Sequence, residues 1–341
     1  MSATTLTPYP LDALPLPALS GETYPLAPAK RRSRWIFTVL ISVVCSVFFL
    51  LFAFYAVVVW VLTHPQVARL ASDPMTARNL PYDDVTFASA DGLVQVHGWW
   101  IPAGSSDRTV VLSHGYGANR EESWVPMYDI ASLLHGLQYN VLMFDYGYAD
   151  SSGRLPATGG VTESEQLLGA LRFARAQGSR ELVVWGFSMG AGTALQTALK
   201  TDLIDGMILD STFIPDADSI YYNLKRYVSL PKSLSIELLS RLVPMFAGTR
   251  LEDIPSSEAM STSFGYPVLV IYGTADDKSP ASISESVAAA QTNPLSQLWT
   301  VPGAIHEMIF RTHPEEYVRR TSEFLQTIHE NALALKQAQI A

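Results

Sequence analysis

The residues most able to do chemistry in this chain begin with Gly186, Phe187, Ser188, Met189 and Gly190, which follow the apolar run ELVVW and open a helix-length segment. A serine on a sharp strand-to-helix turn needs glycine on either side, because the turn is strained and neighbouring backbone crowds it. The helix N-terminus beneath it favours developing negative charge. The bare pentapeptide also occurs as an ordinary Gly-rich turn, so the strand and helix flanks carry its meaning. A serine hydroxyl is a weak nucleophile unless a base takes its proton and an acid orients that base. His64 lies at the edge of a long apolar run, His97 in an early strand, His135 at a helix end and His329 in the terminal helix. His306 stands apart, since it follows the strand QLWTV through the turn Pro302, Gly303 and Ala304 and precedes the final helix. A loop at the C-terminal edge of a parallel sheet is where such a base must sit. His313, just before Pro314, is the alternative base, with a helix-start role as its plainer reading. For the acid, YGTADD ends another strand and offers Asp276, or Asp277 with Asp276 then a turn former.

Those residues need a frame, and the sequence supplies an α/β one. Asp84 to Ala88 and Leu93 to Ile101 flank the turn signal Asp91, Gly92 and read as a β-hairpin. Buried-strand candidates follow at Thr109 to Ser113, Asn140 to Tyr146, Glu181 to Gly186, Met207 to Asp210, Pro267 to Tyr272 and Gln297 to Val301. Helical stretches fall near Glu122 to His135, Glu163 to Gln177, Met189 to Lys200, Pro280 to Gln291 and Pro314 to Leu335. Continuous apolar strands alternating with helices predict a mostly parallel eight-stranded sheet covered on both faces. One connection is long: Phe213 to Phe264 holds several helical pieces and reads as an inserted cap. Its Tyr221, Tyr222 and Tyr227, with Met245 and Phe246, are candidates for an acyl pocket or for ordinary packing.

Composition places this domain at a membrane. Of 341 residues, 48% are hydrophobic and only 16% charged, against about 25% charged in an average soluble chain. Trp35 to Leu62 runs 28 residues without a charge, whereas a bilayer core needs about 20 helical residues. The apolar core of a secretory signal peptide is about 7 to 15 residues long, so this run reads as a transmembrane helix. The cluster KRRSR precedes it, and Arg69 and Arg78 are the only basic residues in the stretch just beyond, so the positive-inside rule leaves the N-terminus cytoplasmic and the main body across the membrane. The expected organisation is a disordered Pro-rich arm over 1–34, the helix over 35–62, a tether over 63–80 and the catalytic domain over 81–336. The net charge is -9; four basic against two acidic residues leave +2 in 1–34, so the remainder carries -11. An acidic body argues against nucleic-acid binding. The single cysteine, Cys45, falls in the apolar run and can build neither an intramolecular disulfide nor a Cys-based zinc site. HEMIF, from His306, lacks the second histidine of a zinc-protease motif, and neither GGV at Gly159 nor GAG at Gly190 continues into a phosphate loop.

With these residues in view, LSHGYG, FDYGYADSSG, GFSMGA, LDSTF, YGTADD and VPGAIHE, spread over about Asp84 to Leu335, resemble the α/β-hydrolases, and within them the membrane-anchored ABHD12 and ABHD13 or Bem46-like branch. The order Ser188, Asp276, His306 matches that family's order of nucleophile, acid and base. The resemblance implies an oxyanion hole made by the backbone N–H groups of Tyr116 and Met189, a structural role for His114, and no cofactor. It implies a membrane-anchored hydrolase of a lipid or other acyl ester, with a peptidase or amidase of the same fold as the alternative and a non-catalytic scaffold as a further one. One departure stands out: the family reads DYRGYG after its fourth strand, whereas Asp145, Tyr146, Gly147 and Tyr148 run on here without the arginine.

Overall fold

A computed structural model of the chain describes residues 21, 31–150, 154–227 and 229–340. Of the arm expected over 1–34, only Gly21 and 31–34 are among the described residues, and 151–153 of the FDYGYADSSG motif also lie outside them. The strands are β1 Asp83–Ala88, β2 Gln95–Ile101, β3 Arg108–Ser113, β4 Asn140–Phe144, β5 Glu181–Phe187, β6 Gly206–Asp210, β7 Val268–Gly273 and β8 Gln297–Val301. The helices are α1 Arg31–Thr63, α2 Pro74–Arg78, α3 Met127–Gly136, α4 Val161–Ala176, α5 Met189–Ala198, α6 Ala217–Leu224, α7 Lys232–Ala247, α8 Ser256–Ser261, α9 Ala281–Ala290, α10 Ile309–Thr312 and α11 Pro314–Ile340.

The eight strands form one sheet in the order β1-β2-β4-β3-β5-β6-β7-β8. β2 runs antiparallel to β1 and β4, and every later pairing is parallel. Strand side chains alternate between two cores, as the two-residue period requires. Val111, Leu142, Val184, Leu209 and Val270 face one cluster, shared with Leu167 and Leu171 of α4 and Leu195 of α5. Val110, Val141, Val183, Ile208 and Ile271 face the other, with Ile130 of α3 and Phe324 and Ile328 of α11. The chain crosses from β3 to β4 on one side and returns to β5 on the other. The crevice at the carboxyl ends of β3 and β5 is therefore the topological switch point, where ligands bind open α/β sheets.

Two stretches depart from the sequence reading. The helix expected from Glu122 begins only at Met127, behind Pro126, because Glu122 sits at a φ of 38° and no helix passes through a left-handed residue. The stretch expected as a tether, 63–80, lies strapped to the domain. Val67 and Leu80 are buried, the Asn119 amide donates to the Ala68 carbonyl, and Arg154 donates to the Val67 carbonyl. Asp73 caps α2 by accepting from the Thr76 N–H at 2.8 Å. These apolar and capping contacts are long-range and leave no periodic trace in so short a stretch.

The chain divides into two units at Leu51 and Phe52. In the first, α1 exposes its side chains from Arg34 to Leu50, and the helix as a whole is long and apolar enough to cross a membrane. In the second, the last turns of α1 are part of the domain core. Tyr55 and Val59 are fully buried, and the Tyr55 hydroxyl donates to Ser235 of α7. The Tyr116 hydroxyl donates to the Val61 and Leu62 carbonyls at 2.9 and 3.0 Å, and the Ala157 N–H to the Thr63 carbonyl at 2.7 Å. Carbonyls in the last turn of a helix have no internal partner, and these bonds satisfy three of them.

Candidate active site

Ser188 stands between the end of β5 and the start of α5, at φ 50° and ψ -117°. That conformation is strained for a non-glycine residue, and its surroundings explain both flanking glycines. A Cβ on Gly190 would lie 2.1 Å from the Ser113 carbonyl, and one on Gly186 would lie 2.6 Å from the Ala191 Cα. The close approach of α5 to the end of β3 requires Gly190, and the tight turn of α5 back against β5 requires Gly186.

His306 follows β8 and reaches Ser188. The Ser188 hydroxyl lies 2.8 Å from His306 Nε2, and His306 Nδ1–H donates to Asp276 Oδ2 at 2.7 Å. The other oxygen of Asp276 accepts from the Lys278 and Ser279 N–H groups at 2.9 and 2.8 Å, so the carboxylate is fixed at both ends. The loops carrying Asp276 and His306 are laced together, with the Thr274 N–H on the Val301 carbonyl and the Ala275 N–H on the Ala304 carbonyl. Of the two candidate acids, Asp276 is the one on the histidine, its side chain 4% exposed. Asp277 points outward, 60% exposed, and pairs with Arg226 just beyond α6. His313 is exposed and bonded to Thr312.

Residues 108–231 match the family described as alpha/beta hydrolase fold. An uncharacterised protein of Mycobacterium tuberculosis is 30% identical over 226 residues, covering 65% of this chain and 72% of its own length. The chain belongs to the α/β-hydrolase superfamily. The uncharacterised protein YfhR of Escherichia coli K12 is 26% identical over 272 residues, 77% of this chain and 85% of that protein. Among solved structures, the Pyrococcus furiosus esterase Pf2001 superposes with a TM-score of 0.61 at 26% identity, over 77% of this chain and 98% of the esterase.

In this α/β-hydrolase the two expected oxyanion donors flank the switch point. Met189 opens α5, so its N–H is among those a helix leaves without an internal acceptor. Tyr116 sits on the turn leaving β3, beside Gly115. His114 is fully buried: Nε2 accepts from the Tyr146 N–H and Nδ1–H donates to the Gly115 carbonyl. Burial pulls its pKa down to about 4, so the imidazole is a neutral spacer of fixed tautomer. Arg120 bonds Asp145, the first residue of the segment that lacks the arginine, through its guanidinium to Oδ2 at 2.9 Å and its own N–H to Oδ1 at 2.7 Å. Burial also pulls the pKa of His306 down. The Asp276 hydrogen bond and the charges of Glu307 and Asp276 outweigh it, and the pKa ends above the ordinary histidine value.

Several residues near this line of hydrogen bonds escaped the sequence reading. Glu307, next to His306, accepts from the Trp124 indole at 2.6 Å and places Oε2 3.7 Å from His306 Nε2. Its own N–H donates to the Ser211 hydroxyl at 3.0 Å, and that hydroxyl donates to Asp210. Asp210 also accepts from the Tyr317 hydroxyl, and burial pushes its pKa up to about 6. Of the residues weighed as an acyl pocket, Tyr227 and Met245 are 82% and 70% exposed, while the Tyr221 hydroxyl is tied to the Leu230 carbonyl. Phe246 packs against the domain core instead.

Proposed function

We propose that this protein is a membrane-anchored serine hydrolase that cleaves carboxylic esters, lipid esters above all. Ser188 attacks the acyl carbonyl and His306 takes its proton through Nε2. Asp276 holds the imidazole in the tautomer that accepts there, and the N–H groups of Tyr116 and Met189 receive the oxyanion. His306 then returns the proton to the leaving alcohol, and water activated by the same nitrogen releases the acid. The observation that carries this reading is the unbroken Asp276–His306–Ser188 hydrogen-bond line on a strained elbow. Ester over amide is favoured by the likeness to an esterase at 26% identity. The test offers acyl esters, thioesters, lysophospholipids and aminoacyl amides to the full chain in detergent micelles. Esters should turn over fastest, and faster hydrolysis of the amides would reassign the protein to the peptidases.

The insertion over 213–264 serves as the cap in this reading. It is stitched to the acid's loop, with Asn223 donating to the Lys278 carbonyl at 2.8 Å and Arg226 to the Asp277 carbonyl at 2.7 Å. The ABHD12, ABHD13 or Bem46-like branch fits the apolar helix, and an uncharacterised yeast membrane protein is 29% identical over 170 residues, 48% of this chain and 58% of its own length. α1 would span the bilayer with residues 1–34 on the cytoplasmic side and 81–336 across it, because Lys30, Arg31, Arg32 and Arg34 crowd its N-terminal flank. A tag after Ala341 should be digested by protease added to intact cells. Digestion only after the membrane is opened from outside would invert this orientation.

A further inference from the structure

Glu122 and Glu307 lie far apart in sequence, one beyond the oxyanion turn and the other just after the base, yet the fold buries them together. Both are about 4% exposed and both occupy left-handed backbone, at φ 38° and 58°. Each has one carboxyl oxygen, Oε1, that is buried and without a hydrogen-bond donor. These two oxygens converge on Gly115: a Cβ there would lie 2.5 Å from that of Glu307 and 3.0 Å from that of Glu122. Two buried acceptors brought together without a donor are costly, and one proton held between them satisfies both. The remaining oxygens divide the labour. Glu122 Oε2 faces the Gly115 N–H at 3.4 Å, and Glu307 Oε2 takes the Trp124 indole and faces His306 Nε2.

We infer that Glu122 and Glu307 are a positioning pair that shares one proton, clamping the turn that carries Tyr116 to the loop that carries His306, with the negative charge on Glu307 stabilising the imidazolium. The inference rests on the serine-hydrolase reading above. Burial raises the Glu122 carboxyl well above the usual range, and the Glu307 charge adds to this. Burial raises Glu307 too, while His306 and the Trp124 indole hold it back. The indole donor at 2.6 Å and the imidazole at 3.7 Å both lie on Glu307, and this geometry places the proton on Glu122 and the charge on Glu307. Besides His306, the other charged and titratable groups that face the pair are Asp210, Asp276, Lys278 and the hydroxyls of Tyr148 and Tyr317. When the shared proton leaves at alkaline pH, two like charges oppose each other behind Gly115 and the two loops are driven apart.

The test compares pH profiles of kcat and KM for the full chain in detergent, as wild type, Glu122→Gln and Glu307→Gln, with a soluble short-chain ester. Wild type should lose kcat on an alkaline limb. Glu122→Gln carries a permanent amide donor, so that limb should vanish with KM unchanged. Glu307→Gln should lower kcat about tenfold, the equivalent of one pKa unit of lost imidazolium stabilisation, and move the acid limb to lower pH. A wild-type profile flat to pH 10, an alkaline limb that survives Glu122→Gln, or an acid limb unmoved by Glu307→Gln would each overturn the clamp. Thermal unfolding against pH gives a readout that does not need turnover. The folded pair keeps its proton above the value of the unfolded chain, so wild-type stability should fall from the ordinary glutamate range up to the pair's raised value. Asp210, also raised by burial to about 6, contributes a fall of its own, so Glu122→Gln should shrink the wild-type fall rather than abolish it, and a fall undiminished in the variant also overturns the clamp. Fluorophosphonate labelling of wild-type Ser188 separates the two ideas: unmoved profiles with labelling sink the clamp alone, and no labelling sinks the serine-hydrolase reading beneath it.

Discussion

Ser188→Ala should abolish fluorophosphonate labelling and lower kcat by about 10⁶ while leaving the thermal midpoint nearly unchanged. The magnitude follows from the step that is lost. Without the hydroxyl no acyl-enzyme forms, and His306 has no proton to accept from a nucleophile 2.8 Å away. What survives is binding and oxyanion stabilisation, which in comparable sites leaves about 10³ to 10⁴ over water. Little structural change is expected, since alanine removes one atom, the hydroxyl oxygen that bonds His306. The turn is held by backbone, with the Ser188 N–H on the Asp210 carbonyl at 2.9 Å and the Ala191 N–H on the Ser188 carbonyl at 3.0 Å. Intact-mass measurement after labelling, together with ester hydrolysis, checks the result. Labelling that persists in the alanine variant would place the nucleophile elsewhere, and a folded wild type that never labels would favour a non-catalytic scaffold.

Much of the frame behind that expectation was legible, because its determinants are local. Each parallel strand announces itself as a short apolar run, each helix by length and flanking turns, and the serine by glycines that the elbow needs on both sides. The strand and helix boundaries read from sequence fall within a few residues of those in the fold, apart from the start of α3 and the end of α11. What was illegible depends on contacts distant in sequence. Glu122 read as the start of a helix, but the fold uses it as a buried partner for Glu307, and the local hint was a carboxylate directly after His306. Asp210 sat in LDSTF without a visible task until Tyr317 and Ser211 were placed against it. The strap over 63–80 was equally hidden, since a Val67 or Leu80 in isolation carries no period. The resemblance points to Asp276 over Asp277, but the physical ground for that choice is not visible in two adjacent identical residues, because it depends on which carboxylate the following N–H groups turn inward.

That choice yields the second large effect. Asp276→Asn should cost about 10⁴ in kcat, whereas Asp277→Asn should change it less than about twofold. The argument is geometric. Asp276 Oδ1 accepts from two backbone N–H groups, at Lys278 and Ser279, and only an oxygen can fill that position. An asparagine therefore keeps its carbonyl there and turns its amide N–H groups toward His306 Nδ1. Two donors cannot face each other, so Nδ1 becomes the acceptor, the ring proton moves to Nε2, and the nitrogen facing Ser188 can no longer take a proton. The same substitution removes a hydrogen bond and a charge that raise the His306 pKa, so residual activity should show an acid limb at lower pH than wild type. Asp277 has neither relation. Its exposed pair with Arg226 ties the cap to the loop, and such exposed pairs contribute about 0 to 1 kcal/mol. Parallel measurement of kcat, the acid limb and the unfolding midpoint for the two variants decides the matter. An Asp277→Asn loss as large as that of Asp276→Asn, or an Asp276→Asn enzyme within tenfold of wild type, would take the acid's role away from Asp276.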